Sequence, residues 1–157
     1  MTREQKQEFT LKISQANKTE MVVILYDIFL VYVEDAKLSL QNNQTEALHT
    51  AIKKAKETIN ELMYSINPES DLAGNYRSLY GFVMRQLTKA DISGDLEILR
   101  QVQVMVVSMR NAYAEVSKKD TSPAVMGNVQ SVYAGLTYGK DNLTENLDTT
   151  KNRGFLV

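Results

Sequence analysis

The chain has 157 residues, 43% of them hydrophobic and 24% charged, which is the composition of one soluble globular domain with enough chain for a real core. Eighteen Lys+Arg against nineteen Asp+Glu leave a formal charge of −1 without any block of like charge, which argues against a nucleic-acid partner or an anionic membrane. With no cysteine and with His49 as the only histidine, disulfides, thiol nucleophiles and Cys-based metal centres are excluded.

The N-terminus, Met1-Thr-Arg-Glu-Gln-Lys-Gln-Glu8, is polar and has no apolar core of a secretory signal, so a cytoplasmic protein is expected. Phe9, Leu11 and Ile13 alternate, which suits an extended strand laid on an apolar surface, with a ragged helical turn as the alternative. Residues 1–16 are therefore read as an N-terminal arm. Asn17-Lys-Thr-Glu20 then opens a helix, because an Asn cap and a Glu three residues on form a variant capping box. This first helix runs to about Gln41. A second opens at Asn43-Gln-Thr-Glu46 and carries Leu48, Ile52, Ala55, Ile59, Leu62 and Ile66 in one apolar stripe. After Asn67-Pro68 a third helix places Leu72, Tyr76, Leu79, Val83, Leu87 and Ala90 on one face and ends near Gly94. The fourth has Leu99, Val102, Val106, Met109, Tyr113 and Val116 and fades at about Lys118. Four helices of matched length with short connections predict an all-α fold, an antiparallel up-down four-helix bundle over 17–118. The remainder, 119–157, reads as a loosely structured or docked tail whose Val129, Val132, Tyr133, Leu136, Tyr138 and Leu143 are too many apolar groups for a pure spacer.

The helices hold more apolar surface than one core needs. From Met21 to Val33 only Asp27 is charged, a run too short to span a bilayer, and Glu20, Asp27, Glu34 and Gln41 recur every seven residues as a narrow polar seam. Asp27 is expected to find an Arg or Tyr partner on a neighbouring helix. Phe82 and Met84 on the third helix, and Met105 and Val107 on the fourth, lie beyond the core stripes. Either the chain's own ends cover these surfaces, or an amphipathic partner segment replaces those ends. Seven methionines suit an adaptable surface and suit core gap-filling as well.

No catalytic constellation emerges. Glu46-Ala-Leu-His49 has the spacing of di-iron bundles, but that chemistry needs the motif twice, and His49 lies off the core stripe. Gly135-Leu-Thr-Tyr-Gly139-Lys140-Asp141 has its glycines too close for a phosphate loop and a carboxylate where the metal-binding hydroxyl belongs. Neither a cofactor, a metal nor an enzyme activity is expected.

Asn17-Lys-Thr-Glu20 followed by Ile24-Leu25-Tyr26-Asp27, then Leu72-Ala-Gly-Asn75-Tyr76-Arg77-Ser78-Leu79-Tyr80, Arg85-Gln-Leu87-Thr-Lys-Ala90 and Arg110-Asn-Ala112-Tyr113, resemble the flagellar secretion chaperone family FliS over residues 17–118. The chain departs from the family pattern at Ile28, Gly81, Asp91 and Tyr113. The resemblance implies a cytoplasmic, non-catalytic helical bundle that binds the disordered C-terminal segment of flagellin before export, with an N-terminal segment able to lie over part of the client surface. On that basis Leu25, Tyr26, Tyr76, Leu79, Tyr80, Phe82 and Met84 are expected to contact the client or support the contact. Asp27 and Arg77 orient them, and Phe9, Leu11 and Ile13 form the self-occluding arm. Leu25, Tyr76 and Leu79 suit a simple core equally well. The flagellar export apparatus is a further expected partner, and the competing occupant of the spare faces is a second copy of this chain as a homodimer.

Overall fold

The computed structural model describes residues 1–126. The apolar residues singled out from Val129 onward, and the Gly135–Asp141 segment, lie outside the described residues. Five helices follow one another: α1 (Arg3–Gln15), α2 (Lys18–Gln41), α3 (Thr45–Tyr64), α4 (Ala73–Ser93) and α5 (Leu96–Ser117). The last four form the expected bundle. In it α2 packs on α3 and α5, and α4 packs on α3 and α5, so the ring closes through α2–α5, while α1 touches α2 alone. Short connections make successive helices antiparallel.

The arm is a helix, not a strand. Thr2 caps it in a full capping box with Gln5, whose backbone N–H donates to Thr2 Oγ1 at 3.2 Å while Thr2 N–H donates to Gln5 Oε1 at 2.8 Å. Phe9, Ile13 and Ala16 then fall at steps of four and three on one face, leaving Leu11 outside; three alternating residues are too short a run to outweigh that helical spacing. The helix folds back along α2 until the Met1 ammonium pairs with Asp35. It thereby covers the side of α2 opposite the core, which is why Ile24 is buried although it lies across the helix from Tyr26, Phe29 and Val33.

Asn17 caps α2 as its spacing predicts, accepting from Glu20 N–H at 2.9 Å. Asn43 does not cap α3. Its φ of 57° places it in the left-handed region, where it completes the turn that ends α2, and Gln44 N–H donates to Ser39 O at 2.8 Å. The tight α2–α3 connection needs one left-handed residue, and Asn accepts that conformation more readily than most. Gln44 is left to precede α3 without a side-chain cap. Gly94, at φ 62°, ends α4, and Asp95 caps α5 by accepting from Glu97 N–H at 2.9 Å.

The core comprises Phe29, Val33 and Ala36 of α2, Ile59 and Leu62 of α3, Val83 and Leu87 of α4, and Leu99 of α5, all without solvent exposure. Two stripes are rotated from their expected positions. In α4 the buried face is Ala73, Tyr80, Val83, Leu87 and Ala90, and Leu72 and Leu79 turn outward. In α5 Ile98 joins Leu99, Val102 and Val106, while Val116 is exposed.

The polar seam of α2 faces α5 in antiparallel register. Arg110 donates to Asp27 through Nε at 2.8 Å and Nη2 at 3.2 Å. Seven residues along each helix, Gln103 Nε2 donates to Glu34 Oε2 at 3.3 Å, and Lys37 Nζ bridges Glu34 and Gln103. Among the described residues no buried side-chain polar atom lacks a partner.

Truncating Phe29, which is 0% exposed at the centre of α2, tests this packing. Phe29→Ala is expected to lower unfolding free energy by about 3–5 kcal/mol, read as a fall in urea midpoint at unchanged slope.

Candidate functional site

Four tyrosines from three helices form a closed ring near one end of the bundle. Tyr26 of α2 lies 6.4 Å from Tyr80 and 5.8 Å from Tyr113 of α5, and Tyr76 lies 6.1 Å from Tyr80 and 5.7 Å from Tyr113, centroid to centroid. Tyr26 and Tyr80 are fully buried and join hydroxyl to hydroxyl at 2.6 Å. Tyr76 and Tyr113 are half-buried, so the ring runs from the core to the surface.

Above this floor, between α4 and α5, lies an open groove of about 310 Å³. Leu72, Asn75, Tyr76 and Leu79 form one wall; Ser108, Met109 and Ala112 form the other. The wall exists because Leu72, Asn75 and Leu79 follow one another at helical steps just outside the buried face of α4, a row that Phe82 continues beyond the groove. Leu72 is 52% exposed, Leu79 37% and Phe82 42%. No titratable side chain lines the groove apart from Tyr76. A larger cleft of about 470 Å³, between α1, α2 and α3, is rimmed instead by Lys6, Asp35, Gln44 and Lys54.

The residues singled out from sequence therefore separate by depth and by side. Leu79 is at the surface in the groove wall and Tyr76 is its half-buried base, while Phe82 is exposed on the same helix but is not part of the groove lining. Tyr26 and Tyr80 are interior residues that hold Tyr76 and Tyr113 from beneath. Asp27 is tied to Arg110 on the α2–α5 face. Arg77 and Met84 belong to a different edge of α4, because with Asp91 they repeat every seven residues and Asp91 pairs with His49 of α3. Leu25 packs half-buried against the core. Phe9 and Ile13 are half-buried in α1 and Leu11 is 44% exposed; none of them reaches the groove, since α1 meets only α2. Sequence reasoning placed Leu72 and Met109 in the core and gave no role to Asn75 or Ser108. The available signal was the seven-residue spacing of Leu72 and Leu79 at the margin of the apolar arc.

Among the described residues no group of three or more His, Asp or Glu is placed to hold a metal, and no helix is long and apolar enough to cross a membrane. The family model for "Flagellar protein FliS" matches residues 1–120. The chain belongs to the FliS family. Its similarity extends to the flagellar secretion chaperone FliS of Bacillus subtilis strain 168, 25% identical over 103 residues, which is 66% of this chain and 77% of the relative. It also extends to the flagellar secretion chaperone FliS of Escherichia coli strain K12, 26% identical over 106 residues, which is 66% of this chain and 78% of that one. The FliS-like stretch from Leu72 to Tyr80 is the α4 wall of the groove, and the stretch from Arg110 to Tyr113 is part of the facing α5.

The tyrosine ring gives alkaline stability a definite sign. Burial pushes the Tyr80 hydroxyl up to about 12 from an ordinary 10.0, and burial lifts Tyr26 and Tyr113 further in the same direction. The folded chain thus keeps protons that the unfolded chain loses above about pH 10, so this contribution is intact below that pH and is lost as pH rises toward 12. Urea midpoints measured at increasing pH should fall from about pH 10, with the ring's tyrosinate absorbance appearing only together with loss of helical circular dichroism. Ionisation of all eight tyrosines before unfolding would contradict the buried ring.

Proposed function

We propose that the protein is a cytoplasmic flagellar export chaperone without catalytic activity, which binds the disordered C-terminal segment of flagellin, prevents its premature polymerisation and presents it to the export apparatus. The observation that carries this reading is the open apolar groove between α4 and α5 in a member of the FliS family. The two similar proteins named as flagellar secretion chaperones support it.

The physical argument concerns coupled folding. A segment unfolded alone can place one apolar face of a helix against Leu72, Leu79, Phe82 and Met109, and burying about 1,000–3,000 Å² can exceed the roughly 2–5 kcal/mol needed to order it. Leu79 and Phe82 act as direct contacts and Tyr76 as the base of the groove. Tyr26, Tyr80 and Asp27 hold that base in place through the tyrosine ring and the Arg110 pair. Met84, Arg77 and Leu25 lie off the groove, and a client that continues around the bundle meets them next. A path onto the back of α2 requires α1, with Phe9, Leu11 and Ile13, to give way.

Calorimetric titration with the C-terminal segment of the co-resident flagellin should give heat and a gain in helical circular dichroism, and flagellin lacking that segment should give neither. Leu79→Ser and Phe82→Ser are each expected to weaken binding by about tenfold or more while leaving thermal unfolding nearly unchanged, because both side chains are already at the surface. Affinity should persist as salt is raised, since no ion pair carries the contact. A tight dimer in sedimentation, unaffected by flagellin, would instead assign the groove to a second copy of this chain.

A further inference from the structure

We propose that residues 120–125, which follow α5, are a strap that locks the hinge between α1 and α2. The apolar back of α2 then becomes accessible only after the strap has let go of Ala16, Asn17 and Thr19. The hinge works in this way whatever the α4–α5 groove takes.

The side chains of α1 hold it only weakly. It has 13 residues, about the length at which a helix is marginal alone in water, and within it only Ser14 is buried. The Ser14 hydroxyl donates to Leu11 O of the same helix at 2.7 Å. Phe9 and Ile13 are half-buried and Leu11 is exposed. Docking of α1 therefore depends on how its two ends are fixed. At the first end the Met1 ammonium pairs with Asp35. At the second end lies the strap.

Only Ala16 and Asn17 separate α1 from α2, so a swing of α1 must come from the backbone torsions of these two residues. Both are extended, with φ −75° and ψ 139° at Ala16 and φ −75° and ψ −178° at Asn17. The peptide between them is held from both sides. Its carbonyl, Ala16 O, accepts from Val125 N–H at 2.9 Å, and its N–H, on Asn17, donates to Glu20 Oε2 at 2.9 Å. The Asn17 side chain joins the strap to the cap of α2 as well, since its Oδ1 accepts from Glu20 N–H while its Nδ2 donates to Asp120 O at 3.2 Å. Ala16 and Asn17 are both buried, so water does not compete for these bonds while the strap is closed.

The strap has little apolar hold of its own. Val125 and Met126 are exposed, as are Thr121, Ser122 and Pro123. Its shape comes from Asp120, whose Oδ1 accepts from Ser122 N–H at 2.9 Å and turns the chain after α5, while Oδ2 accepts from the Thr19 hydroxyl at 2.6 Å. A segment fixed by a few polar bonds, without a buried side chain, opens at lower free energy than the helices it joins. The strap can thus detach with the bundle intact, and α1 has too little packing of its own to stay once the hinge is free.

Amide exchange followed by NMR in the full chain tests the lock. Asp120→Ala removes the acceptor for Thr19 and for Ser122 without altering α1 or the surface of α2 beneath it. Asn17→Asp keeps an acceptor for the α2 cap and removes the donor to the strap. Each is expected to speed exchange at 9–15 and at Val125 by about fivefold or more, the effect of losing one hydrogen bond, while α3 and α4 exchange as before. The unmodified chain supplies an independent check, because a hinge that opens only after its strap requires the Val125 amide to be no better protected than those at 9–15. Unchanged exchange in α1 of both variants would overturn the proposal, and so would acceleration of α3 and α4 equal to that of α1. A Val125 amide that stays protected after those of α1 have exchanged would overturn it too.

Discussion

The interface between α2 and α5 constrains the rest of the molecule. A helix that is apolar nearly all round can rotate freely within a bundle unless something fixes its azimuth, and here that something is the narrow polar seam containing Asp27 and Glu34. Neither carboxylate can be left facing a core, because an unpaired charge there costs far more than the packing it would gain. Arg110 and Gln103, seven residues apart on α5 and running antiparallel, meet both at once. With azimuth and register fixed, Tyr26, Phe29 and Val33 point inward, and an apolar face remains on the opposite side of α2.

That remaining face explains α1. Ile24 cannot be part of the four-helix core, yet it is buried, because α1 folds back over it. The spare apolar surface of the bundle thus divides in two. The part on α2 is sealed by the chain's own first helix. The part between α4 and α5 stays open, because α1 is too far around the bundle to reach it. An α4 whose apolar arc is wider than its contact with α3 and α5 leaves Leu72 and Leu79 beside Met109 and Ala112, over a floor of packed tyrosines, and leaves Phe82 exposed further along the helix.

The tyrosine ring makes this open groove compatible with a stable fold. A surface lined only by flexible aliphatic groups would collapse on itself or repack. Four aromatic rings in mutual contact, two of them locked by a hydroxyl–hydroxyl bond, present a firm base from which the outer side chains project. The groove can therefore be exposed to a partner without being part of what holds the helices together. Surface variants at Leu79 and Phe82 are informative for the same reason: they alter the wall and leave the base intact.

Sequence alone determined the helical class, the four bundle helices, the Asn17 cap and the existence of a partnered Asp27, because each depends on short-range spacing that tertiary context only has to accept. The FliS resemblance was likewise legible in short stretches such as Ile24–Asp27 and Leu72–Tyr80. Tertiary structure decided which margin of a wide apolar arc faces inward. Helical spacing does not distinguish Leu79 from Tyr80 when both lie within reach of the core, and the neighbours of α4 settle the choice in favour of Tyr80. It also decided that Phe9 and Ile13 belong to a helix, since a short amphipathic segment is marginal until it has a surface such as the back of α2 to dock on. The role of Asn43 was fixed in the same way, because a left-handed backbone residue is demanded by the path between two packed helices and not by the residues on either side.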